Sequence, residues 1–413
     1  MKKILIVSHA MELGGAERSL LGLLEAIDPE RYEVDLFLER QEGELLPFIP
    51  SWVHLLPEMR AYTVLARPMV DTVKEGHFFL TGARMLGKLA AAGFDRVHGY
   101  TESGVALEYS HKYTCRLMPE IQPDVEYDLA ISFLTPHYFV ARKVRARKKI
   151  AWIHTDYSCV QVDITSERRM WDSYDAIVSI SDSVTKSFTD IFPELKHKIV
   201  KIENILPENL IRQQSEAFSV ESEMPDDGYI RLLSIGRYCR AKNFDNVPDI
   251  TARLVHHGMN VNWYLIGFGN DEDLIRKKIA KAGMGKNVIL LGKKENPYPY
   301  IRACDVYVQP SRYEGKSVTV REAQMLGKPV VITRYPTSAS QLEDGVDGVI
   351  VPLDSAGCAE GIRKFLADPV KMQHIAQNTQ KCDYTNAGEV NKLYALMDGD
   401  KAVHSHKEMS KAQ

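Results

Sequence analysis

Two carboxylates, Glu314 and Glu322, stand eight residues apart in the segment "SRYEGKSVTVREAQMLGKPVV". The apolar residues before this segment predict a strand, and Ser317 is expected to cap a helix that ends at Gly327. The backbone N–H groups of residues 316–319 would then be unpaired donors at a helix start, where phosphate binds well. Ionised carboxylates accept paired hydrogen bonds from adjacent hydroxyls, so a sugar or ribose diol suits both glutamates. The alternative is a pair of ordinary solvated acids near a helix N terminus.

Two cations lie on another predicted strand–helix loop, "LLSIGRYCRAKNFDN". Gly236 and Arg237 directly follow the apolar strand, and Lys242 comes six residues after the glycine. At the carboxyl edge of a parallel sheet, a guanidinium fork and an ammonium point charge suit a diphosphate. The alternative is that both are ordinary surface cations in a loop.

Short β-branched runs alternate with longer helical patterns along the chain, which is typical of parallel sheets covered by helices. Six strands are predicted in each half: "KILIVSH", "YEVDLFLE", "YDLAISF", "KIAWIH", "DAIVSIS" and "IVKIEN", then "IRLLSIG", "VNWYLIG", "VILLG", "DVYVQPS", "PVVIT" and "GVIVP". We therefore expect an α/β protein with two Rossmann-like, doubly wound domains that face each other across a cleft.

The domain boundaries follow from the polar segment that ends in "PDDG". We expect an N-terminal Rossmann-like domain over residues 1–205, a linker over 206–228, and a C-terminal Rossmann-like domain over 229–385. The last segment, 386–413, is expected to hold a C-terminal helix, which could pack back on the N-terminal domain, and a polar tail.

Composition limits the partners of the chain. Its 413 residues are 45% hydrophobic and 26% charged, which is typical of a globular protein. A net charge of −3 argues against nucleic acid, and six scattered cysteines without CxxC pairs argue against disulfides and a zinc site. No stretch approaches the roughly 20 apolar residues that span a bilayer. We therefore expect a cytoplasmic protein, at most peripheral to the inner face of the membrane.

Six motifs in the second half carry a family resemblance. Gly236-Arg237 with Lys242-Asn243, "YLIGFG", "VILLGKKEN", "PSRYEG" with the two glutamates, "GKPVV" and "EDGVDGVIVP" follow in this order over about 120 residues. In order and spacing they resemble the nucleotide-sugar domain of family 4 retaining glycosyltransferases with the GT-B fold. In the first half, Gly14-Gly15-Ala16-Glu17 is similar to the glycine loop of that family. Bacterial enzymes that build capsule, O-antigen or other cell-surface polysaccharide are the most similar in these motifs.

The resemblance implies that the domain over residues 1–205 binds the acceptor and that the domain over 229–385 binds the nucleotide sugar. It also implies roles for individual residues. Arg237 and Lys242 would grip the donor diphosphate, Glu314 would contact the transferred sugar, and Glu322 would hold the ribose hydroxyls. The base would lie against the backbone near the two glycines that end the next strands. The further donor-binding residues implied are Gly15, Gly236, Gly267, Gly292, Lys293, Lys294, Gly315, Lys316, Ser317 and Val318. No metal ion and no cofactor are expected.

The chain departs from the family at one histidine of the N-terminal domain. Many members carry a histidine after the strand that here reads "YDLAISFLTPH", but Ser132 and Phe133 occupy the corresponding positions. His137 and His154 follow strand ends nearby, and either could contact the acceptor or the transferred sugar. His154 is taken as the catalytic candidate, while the alternative for each is a structural histidine.

Other signals are weaker. Asp271 and Asp273 form a DxD pair, but they are expected to begin a helix rather than to bind metal. Glu272 replaces the third glycine of a GxGxxG motif, and no GxxxxGK[ST] occurs, so neither a dinucleotide site nor a P-loop is predicted.

Two segments bear on membrane contact. The basic run "RKVRARKK" at 142–149 is expected to be a solvated helix face, with attraction to anionic lipid as the alternative. The segment 78–94 mixes large apolar residues with two cations, and a core helix is expected there rather than a membrane contact.

These observations predict a metal-independent, retaining glycosyltransferase. It would move a sugar from a nucleotide donor, expected to be a UDP-sugar, to a hydroxyl of a glycan or polyprenyl-diphosphate-linked glycan in cell-surface polysaccharide synthesis. The alternatives are a nucleotide-sugar epimerase of the same architecture and a non-catalytic nucleotide-sugar-binding protein.

Overall fold

The computed structural model describes residues 1–12, 14–100, 103–314 and 317–399, with only the backbone of Cys159. The chain divides into two compact units. Unit 1 comprises Met1–Leu206 with the segment that begins at Asn386, and unit 2 comprises Pro207–Thr385. The expected site residues Gly315 and Lys316 lie outside the described residues.

Unit 1 is built on a parallel sheet with the strand order β3-β2-β1-β4-β5-β6-β7 within the described residues. The strands are β1 (Lys2–Ser8), β2 (Tyr32–Leu38), β3 (His54–Leu55), β4 (Tyr127–Ser132), β5 (Ala146–Ile153), β6 (Ala176–Ser179) and β7 (Ile199–Lys201). The central strands are almost continuously apolar because helices cover both faces of a parallel sheet. The six predicted strands are confirmed, and the two-residue edge strand β3 was not predicted.

Helices connect these strands. They are α1 (Gly15–Ala26), α2 (Arg60–Thr63), α3 (Met69–Lys74), α4 (Phe78–His98), α5 (Val105–Cys115), α6 (Tyr138–Lys143), α7 (Ile164–Asp172), α8 (Asp182–Ile191) and, from the C-terminal end, α17 (Val390–Asp398). Aromatic residues such as Trp171 and Phe188, with rings 5.1 Å apart, fill the core between helices and sheet. In the described part of the chain, no helix is both long enough and apolar enough to cross a membrane.

Unit 2 repeats the architecture with the strand order β10-β9-β8-β11-β12-β13. Its strands are β8 (Ile230–Ile235), β9 (Val261–Ile266), β10 (Val288–Gly292), β11 (Val306–Gln309), β12 (Val330–Thr333) and β13 (Val349–Val351). Its helices are α9 (Glu208–Ser215), α10 (Val247–His256), α11 (Glu272–Ala282), α12 (Tyr298–Ala303), α13 (Val318–Met325), α14 (Ser338–Gln341), α15 (Ser355–Leu366) and α16 (Pro369–Thr379). The order reverses between the neighbours β8 and β11, the position where ligands bind in such sheets.

The segments at the two unit boundaries are ordered. Residues 206–228, expected as a linker, contain α9, and Asn296 Nδ2 donates to Gln214 O at 2.8 Å within unit 2. The helix expected near the C terminus is α17 and belongs to unit 1, where the Tyr394 ring stacks on Tyr32 at 4.4 Å. Asp28 N also donates to Tyr394 Oη at 3.0 Å. Apolar stacking and this hydrogen bond therefore hold α17 against the first strands of unit 1.

Candidate functional site

The two loops predicted to carry charge meet at the carboxyl edge of the unit 2 sheet. They follow β8 and β11, which are neighbours in that sheet. Lys242 Nζ lies 2.6 Å from Glu314 Oε1, and the two side chains are 20% and 12% exposed. The predicted diphosphate cation and the predicted sugar contact therefore form an ion pair with each other. Low exposure strengthens such a pair relative to one on the open surface.

Side-chain hydrogen bonds hold the loop after β8 against the loop after β11. Asn243, which has the left-handed φ of 61°, donates from Nδ2 to Pro310 O at 2.8 Å. Arg312 pairs with Asp245 through two contacts of 2.8 and 2.9 Å. Burial alone would raise the pKa of Asp245, but its hydrogen bonds with Arg312 and Lys278 lower that pKa below its ordinary value. These anchors explain why Lys242 reaches Glu314 across 72 residues of sequence.

The Glu314 carboxylate is held by more than the ammonium. Its Oε1 also accepts from Ser311 Oγ at 2.6 Å and from Gln309 Nε2 at 3.3 Å. Gln309 is itself fixed, because Tyr307 Oη donates to its Oε1 at 2.8 Å. A carboxylate with this many donors keeps one orientation. Such a fixed acid can position a sugar hydroxyl but has little freedom to move.

Arg237 differs from Lys242 in its surroundings. Its side chain is exposed, and it makes no ion pair with the described residues. Gly236 beside it makes room for the lysine, since a Cβ at this position would lie 3.0 Å from Lys242 Cε. Of the two predicted diphosphate cations, Lys242 is held in an ion pair and Arg237 is exposed to solvent.

Glycines bring three strand ends close together. Gly236 N donates to Ile266 O at 3.0 Å, and Gly267 N donates to Gly292 O at 2.9 Å. Gly267 has φ of 150°, and a Cβ on it would lie 1.9 Å from Gly236 O. Only glycine fits this close approach of the backbone.

We expect Gly267→Ala to destabilise the protein. The substitution forces a side chain into a conformation that costs on the order of 1 to 3 kcal/mol, and the backbone overlap adds to this cost. Gly285→Ala is the matched control, because a Cβ there meets nothing within 4 Å. Urea unfolding should show a lower midpoint for Gly267→Ala alone; equal midpoints for both variants would show that the loops move apart without cost.

Glu322 lies in α13 and is buried. Tyr298 Oη donates to its Oε1 at 2.8 Å. Glu322 is therefore not the bare, solvated acid that the alternative interpretation described. A ribose hydroxyl would join a carboxylate that protein groups already orient.

The start of α13 differs from expectation in two respects. Ser317 occupies the N-cap position, but its side chain accepts no capping hydrogen bond and lies 3.1 Å from Thr319 Oγ1. Ser317 N, expected to be an unpaired donor, donates to Gln341 Oε1 at 2.6 Å. That expectation is wrong because Gln341 of α14 folds back over the helix start, a contact between segments that local sequence does not encode. Gly327 ends the helix with φ of 70°, as predicted.

The surroundings of four other residues implied to contact the donor differ from one another. Lys294 Nζ pairs with Glu223 at 2.6 Å, whereas Lys293 Nζ lies 5.8 Å from the centroid of the exposed Phe268 ring. Val318, the first residue of α13, is exposed. In unit 1, Gly15 begins α1, and a Cβ on it would meet nothing within 4 Å.

The two candidate histidines of unit 1 are unlike each other. His137 is fully buried, with Nδ1 2.8 Å from Ser132 Oγ and Nε2 3.3 Å from Thr135 Oγ1, which fits the structural alternative. His154 follows β5 and keeps its Nε2 without a partner among the described residues. Burial lowers the pKa of His154 to about 4, so the ring is neutral at pH 7. Of the two, only His154 retains a ring nitrogen for a ligand.

Sequence reasoning missed the residues that contact the two glutamates and the Ser317 backbone. Tyr298, Gln309 and Gln341 lie in other segments, and no local motif marks them. For Gln309 a signal existed, since a polar residue at the end of an otherwise apolar strand faces the ligand edge of the sheet.

Comparison with known proteins identifies the domain that contains these side chains. Residues 216–382 match the family model described as glycosyl transferases group 1. A lipopolysaccharide core biosynthesis glycosyltransferase, LpsE of Rhizobium meliloti, is 30% identical over 147 residues, which are 35% of this chain and 42% of the relative. The capsular polysaccharide biosynthesis glycosyltransferase CapM of Staphylococcus aureus is 27% identical over 209 residues, 46% of this chain and 55% of the relative. The chain thus spans about half the length of these relatives.

A solved structure extends the likeness to both units. HepE of Anabaena, in complex with UDP and glucose, matches with a TM-score of 0.60 and 16% identity, over 97% of this chain and 100% of HepE. At this identity the likeness shows the fold alone, and it confirms the predicted GT-B class of two parallel sheets with flanking helices. Arg237, Lys242, Glu314 and Glu322 all lie within the matched residues 216–382. The chain therefore carries a glycosyl transferases group 1 domain.

Proposed function

We propose that the chain is a retaining glycosyltransferase that moves a sugar from a nucleotide donor, a UDP-sugar, to a hydroxyl of a glycan or lipid-linked glycan. The observation that carries this proposal is the Lys242–Glu314 pair at the carboxyl edge of a group 1 domain. The similarity to LpsE and CapM supports a role in cell-surface polysaccharide synthesis. The complex of HepE with UDP and glucose supports UDP as the nucleotide.

The proposed reaction concentrates negative charge on the leaving diphosphate. The bond from the sugar C1 to the diphosphate oxygen breaks, the diphosphate takes the electron pair, and the acceptor oxygen bonds to C1 and gives its proton to the departing diphosphate. Arg237 and Lys242 would stabilise the charge on the diphosphate, because cations fixed beforehand need no reorganisation during the step. When Lys242 binds the diphosphate, Glu314 can accept a hydrogen bond from a sugar hydroxyl in place of the ammonium. No metal ion or cofactor is assigned to this step.

The remaining donor contacts follow the same geometry. Glu322 would accept from the ribose hydroxyls with Tyr298 holding its other side. The base would lie against the backbone at Gly267 and Gly292, which are joined by a hydrogen bond of 2.9 Å from Gly267 N to Gly292 O. His154 is the proposed contact of unit 1 with the reacting sugar.

The acceptor is proposed to be carried at a membrane surface, and α4 is the segment that fits this role. The prediction of a core helix is wrong for the outer face of α4. Apart from Leu80, the residues that this helix buries are small. Arg84 turns inward and donates to Val64 O and Arg67 O. The exposed apolar residues, which we call the α4 apolar face, are Phe78, Phe79, Met85, Leu86, Leu89 and Val97. A contiguous apolar face of this kind is typical of an interaction site.

The basic run at 142–149 fits this role less well. It is not a single solvated helix face, because it crosses from α6 into β5. Lys148 and Lys149 donate to Leu396 O and Ala141 O, and Arg147 pairs with Asp128 at 3.1 Å. Neighbouring carboxylates and carbonyls thus engage these cations. We accordingly assign membrane contact to the α4 apolar face.

We expect the protein to bind vesicles of mixed neutral and anionic lipid, and Phe79→Ser with Leu86→Ser to weaken that binding at least tenfold. Burying one large apolar side chain contributes roughly 1.5 to 3 kcal/mol. The matched control is Val370→Ser in α16, an exposed apolar residue of unit 2. Vesicle co-sedimentation measures all three proteins. Equal binding of the double variant and the parent would contradict this role of α4.

A donor panel tests the proposed function. A nucleotide sugar at 100 times its dissociation constant adds about 2.7 kcal/mol of stability, which thermal shift detects. The stabilising donor is then incubated alone and with glycan acceptors. Sugar transfer with the same configuration at C1 supports the proposal. Release of an epimer from the donor alone, or binding with neither transfer nor hydrolysis, would contradict it.

A further inference from the structure

We propose that His9, Glu39 and His111 of unit 1 form a site for one divalent transition-metal ion, with Zn²⁺ as the ion that fits best. One ligand atom from each of the three residues lies within 4.8 Å of the other two. His9 Nε2 and Glu39 Oε1 are 3.7 Å apart. A tetrahedral ion with bonds of about 2.1 Å needs ligand atoms about 3.4 Å apart, so small side-chain rotations complete the site.

Three elements hold the proposed ligands. His9 follows β1, Glu39 follows β2, and His111 lies in α5. The ends of the two strands are tied together, because Glu39 N donates to Ser8 O at 3.0 Å and Arg40 N donates to His9 O at 2.9 Å. The rings of His9 and His111 have centroids 5.7 Å apart. The ligands are therefore brought together by the fold before any ion binds.

Two ring nitrogens of this cluster lack hydrogen-bond partners among the described residues. His9 Nε2 and His111 Nδ1 are buried and accept or donate no hydrogen bond within the described part of the chain, and the His111 side chain is 2% exposed. Glu39 is buried as well, and the adjacent Arg40 turns away to pair with Glu12 at 3.1 Å and with Glu42. Buried polar groups without partners are costly. A bound cation would satisfy the carboxylate and imidazole nitrogens together.

The chemistry of the ligands selects the ion. Two imidazole nitrogens and one carboxylate form a set that Zn²⁺ accepts, whereas Mg²⁺ and Ca²⁺ prefer oxygen ligands alone. His9 Nε2 and His111 Nδ1 are the ring nitrogens that would face the ion, because neither makes a hydrogen bond with the described residues. Three protein ligands leave the fourth position of a tetrahedron for water. The His9 side chain, one third exposed, gives the ion a path from solvent.

The proposed zinc site is independent of the proposed nucleotide-sugar site. All three ligands lie in unit 1, outside the matched residues 216–382. The sequence analysis predicted no metal site because these residues are 30 and 72 positions apart and form no spaced motif. Parallel strand order brings the ends of β1 and β2 side by side, and α5 supplies the third ligand.

Equilibrium dialysis of the full chain against ZnCl₂, with zinc quantified per chain, tests the proposal. His404 and His406 of the C-terminal tail could bind zinc themselves, so both are replaced by alanine in the reference protein. In that background we compare Glu39→Gln, His111→Gln and the control His257→Ala, an exposed histidine of unit 2. Circular dichroism checks that each variant is folded. Co²⁺ is dialysed in parallel, because its visible absorption reports nitrogen and oxygen ligation directly.

We expect the reference protein to bind one zinc ion, and Glu39→Gln and His111→Gln each to weaken its affinity at least tenfold. The control should bind as the reference does, and the Co²⁺ spectrum of the reference should be absent from the two ligand variants. Should His111→Gln fail to fold, Glu39→Gln decides the matter, because it keeps the shape of the side chain. No bound zinc in the reference protein, or unchanged affinity in a folded Glu39→Gln variant, would overturn the proposal.

Discussion

Glu314→Gln should lower the turnover number about 100-fold while the affinity for UDP is kept or increases. Glu314 is proposed to contact the transferred sugar, and removing one fixed, oriented group from a reacting centre costs about 10²- to 10³-fold. The affinity for UDP should not fall, because the substitution frees Lys242 from its 2.6 Å ion pair. Steady-state transfer kinetics and calorimetric titration with UDP measure the two quantities separately.

Glu322→Gln provides the matched comparison, since it makes the same chemical change eight residues away. Tyr298 can still donate to the amide oxygen, so the local structure should survive. A lost hydrogen bond to a charged group costs roughly 1.5 to 3 kcal/mol, which predicts at least a tenfold loss of UDP affinity through the ribose. Turnover at saturation should change less than it does in Glu314→Gln. Equal effects of the two variants on UDP affinity would contradict this division of roles.

Lys242→Ala should lower turnover about 10- to 150-fold, and Arg237→Ala at least as much. The estimate converts 1.5 to 3 kcal/mol for one charged hydrogen bond into a rate. The guanidinium can grip two oxygens at once, which an ammonium cannot. The matched control is Lys286→Ala, an exposed cation of unit 2 outside the two loops. An unchanged turnover number in both loop variants would show that neither cation stabilises the leaving group.

Lys242→Ala also removes the cation beside a carboxylate that is mostly buried, so lost stability could be mistaken for lost catalysis. The double variant Lys242→Met with Glu314→Gln separates the two effects, because it removes both charges together. We expect this variant to unfold at a higher urea concentration than Lys242→Ala and to remain as inactive. Recovery of turnover together with stability would show that the pair is structural only.

A chelator should leave the transfer reaction intact, since Arg237 and Lys242 are proposed to neutralise the diphosphate. Activity that disappears with chelator and returns with magnesium or manganese would contradict this mechanism. Activity that only zinc restores, and that Glu39→Gln already lacks, would instead point to the site in unit 1. The identity of the ion that restores activity, together with the activity of Glu39→Gln, therefore distinguishes a metal at the diphosphate from zinc at the site in unit 1.

The sequence was informative where chemistry depends on neighbours along the chain. The apolar strands and the turn after each of them placed Lys242 and Glu314 on two strand–helix loops of the same predicted domain. Their direct ion pair was not predictable, because it requires Asn243 to bond Pro310 and Arg312 to bond Asp245. Those anchors join segments about 70 residues apart.

Exposure was harder to predict than secondary structure. The apolar residues of α4 satisfy the pattern of a core helix, yet Phe79 is 85% exposed, because small residues such as Gly87 and Ala91 make the inner face. Likewise, the sequence predicted an unpaired Ser317 N, but this group donates a hydrogen bond to Gln341 of α14. In both cases the helix itself was predicted correctly. Whether its residues are covered or exposed depends on segments that lie elsewhere in the chain.

The most direct measurement of the central claim is a calorimetric comparison of UDP with UMP. UDP carries the second phosphate that Arg237 and Lys242 are proposed to hold, whereas UMP lacks it. We predict that Lys242→Ala and Arg237→Ala each weaken UDP binding at least tenfold, with a smaller effect on UMP, and that Lys286→Ala changes neither. Equal losses for UDP and UMP, or unchanged UDP affinity in both loop variants, would contradict the assignment of this edge of the sheet to a nucleoside diphosphate.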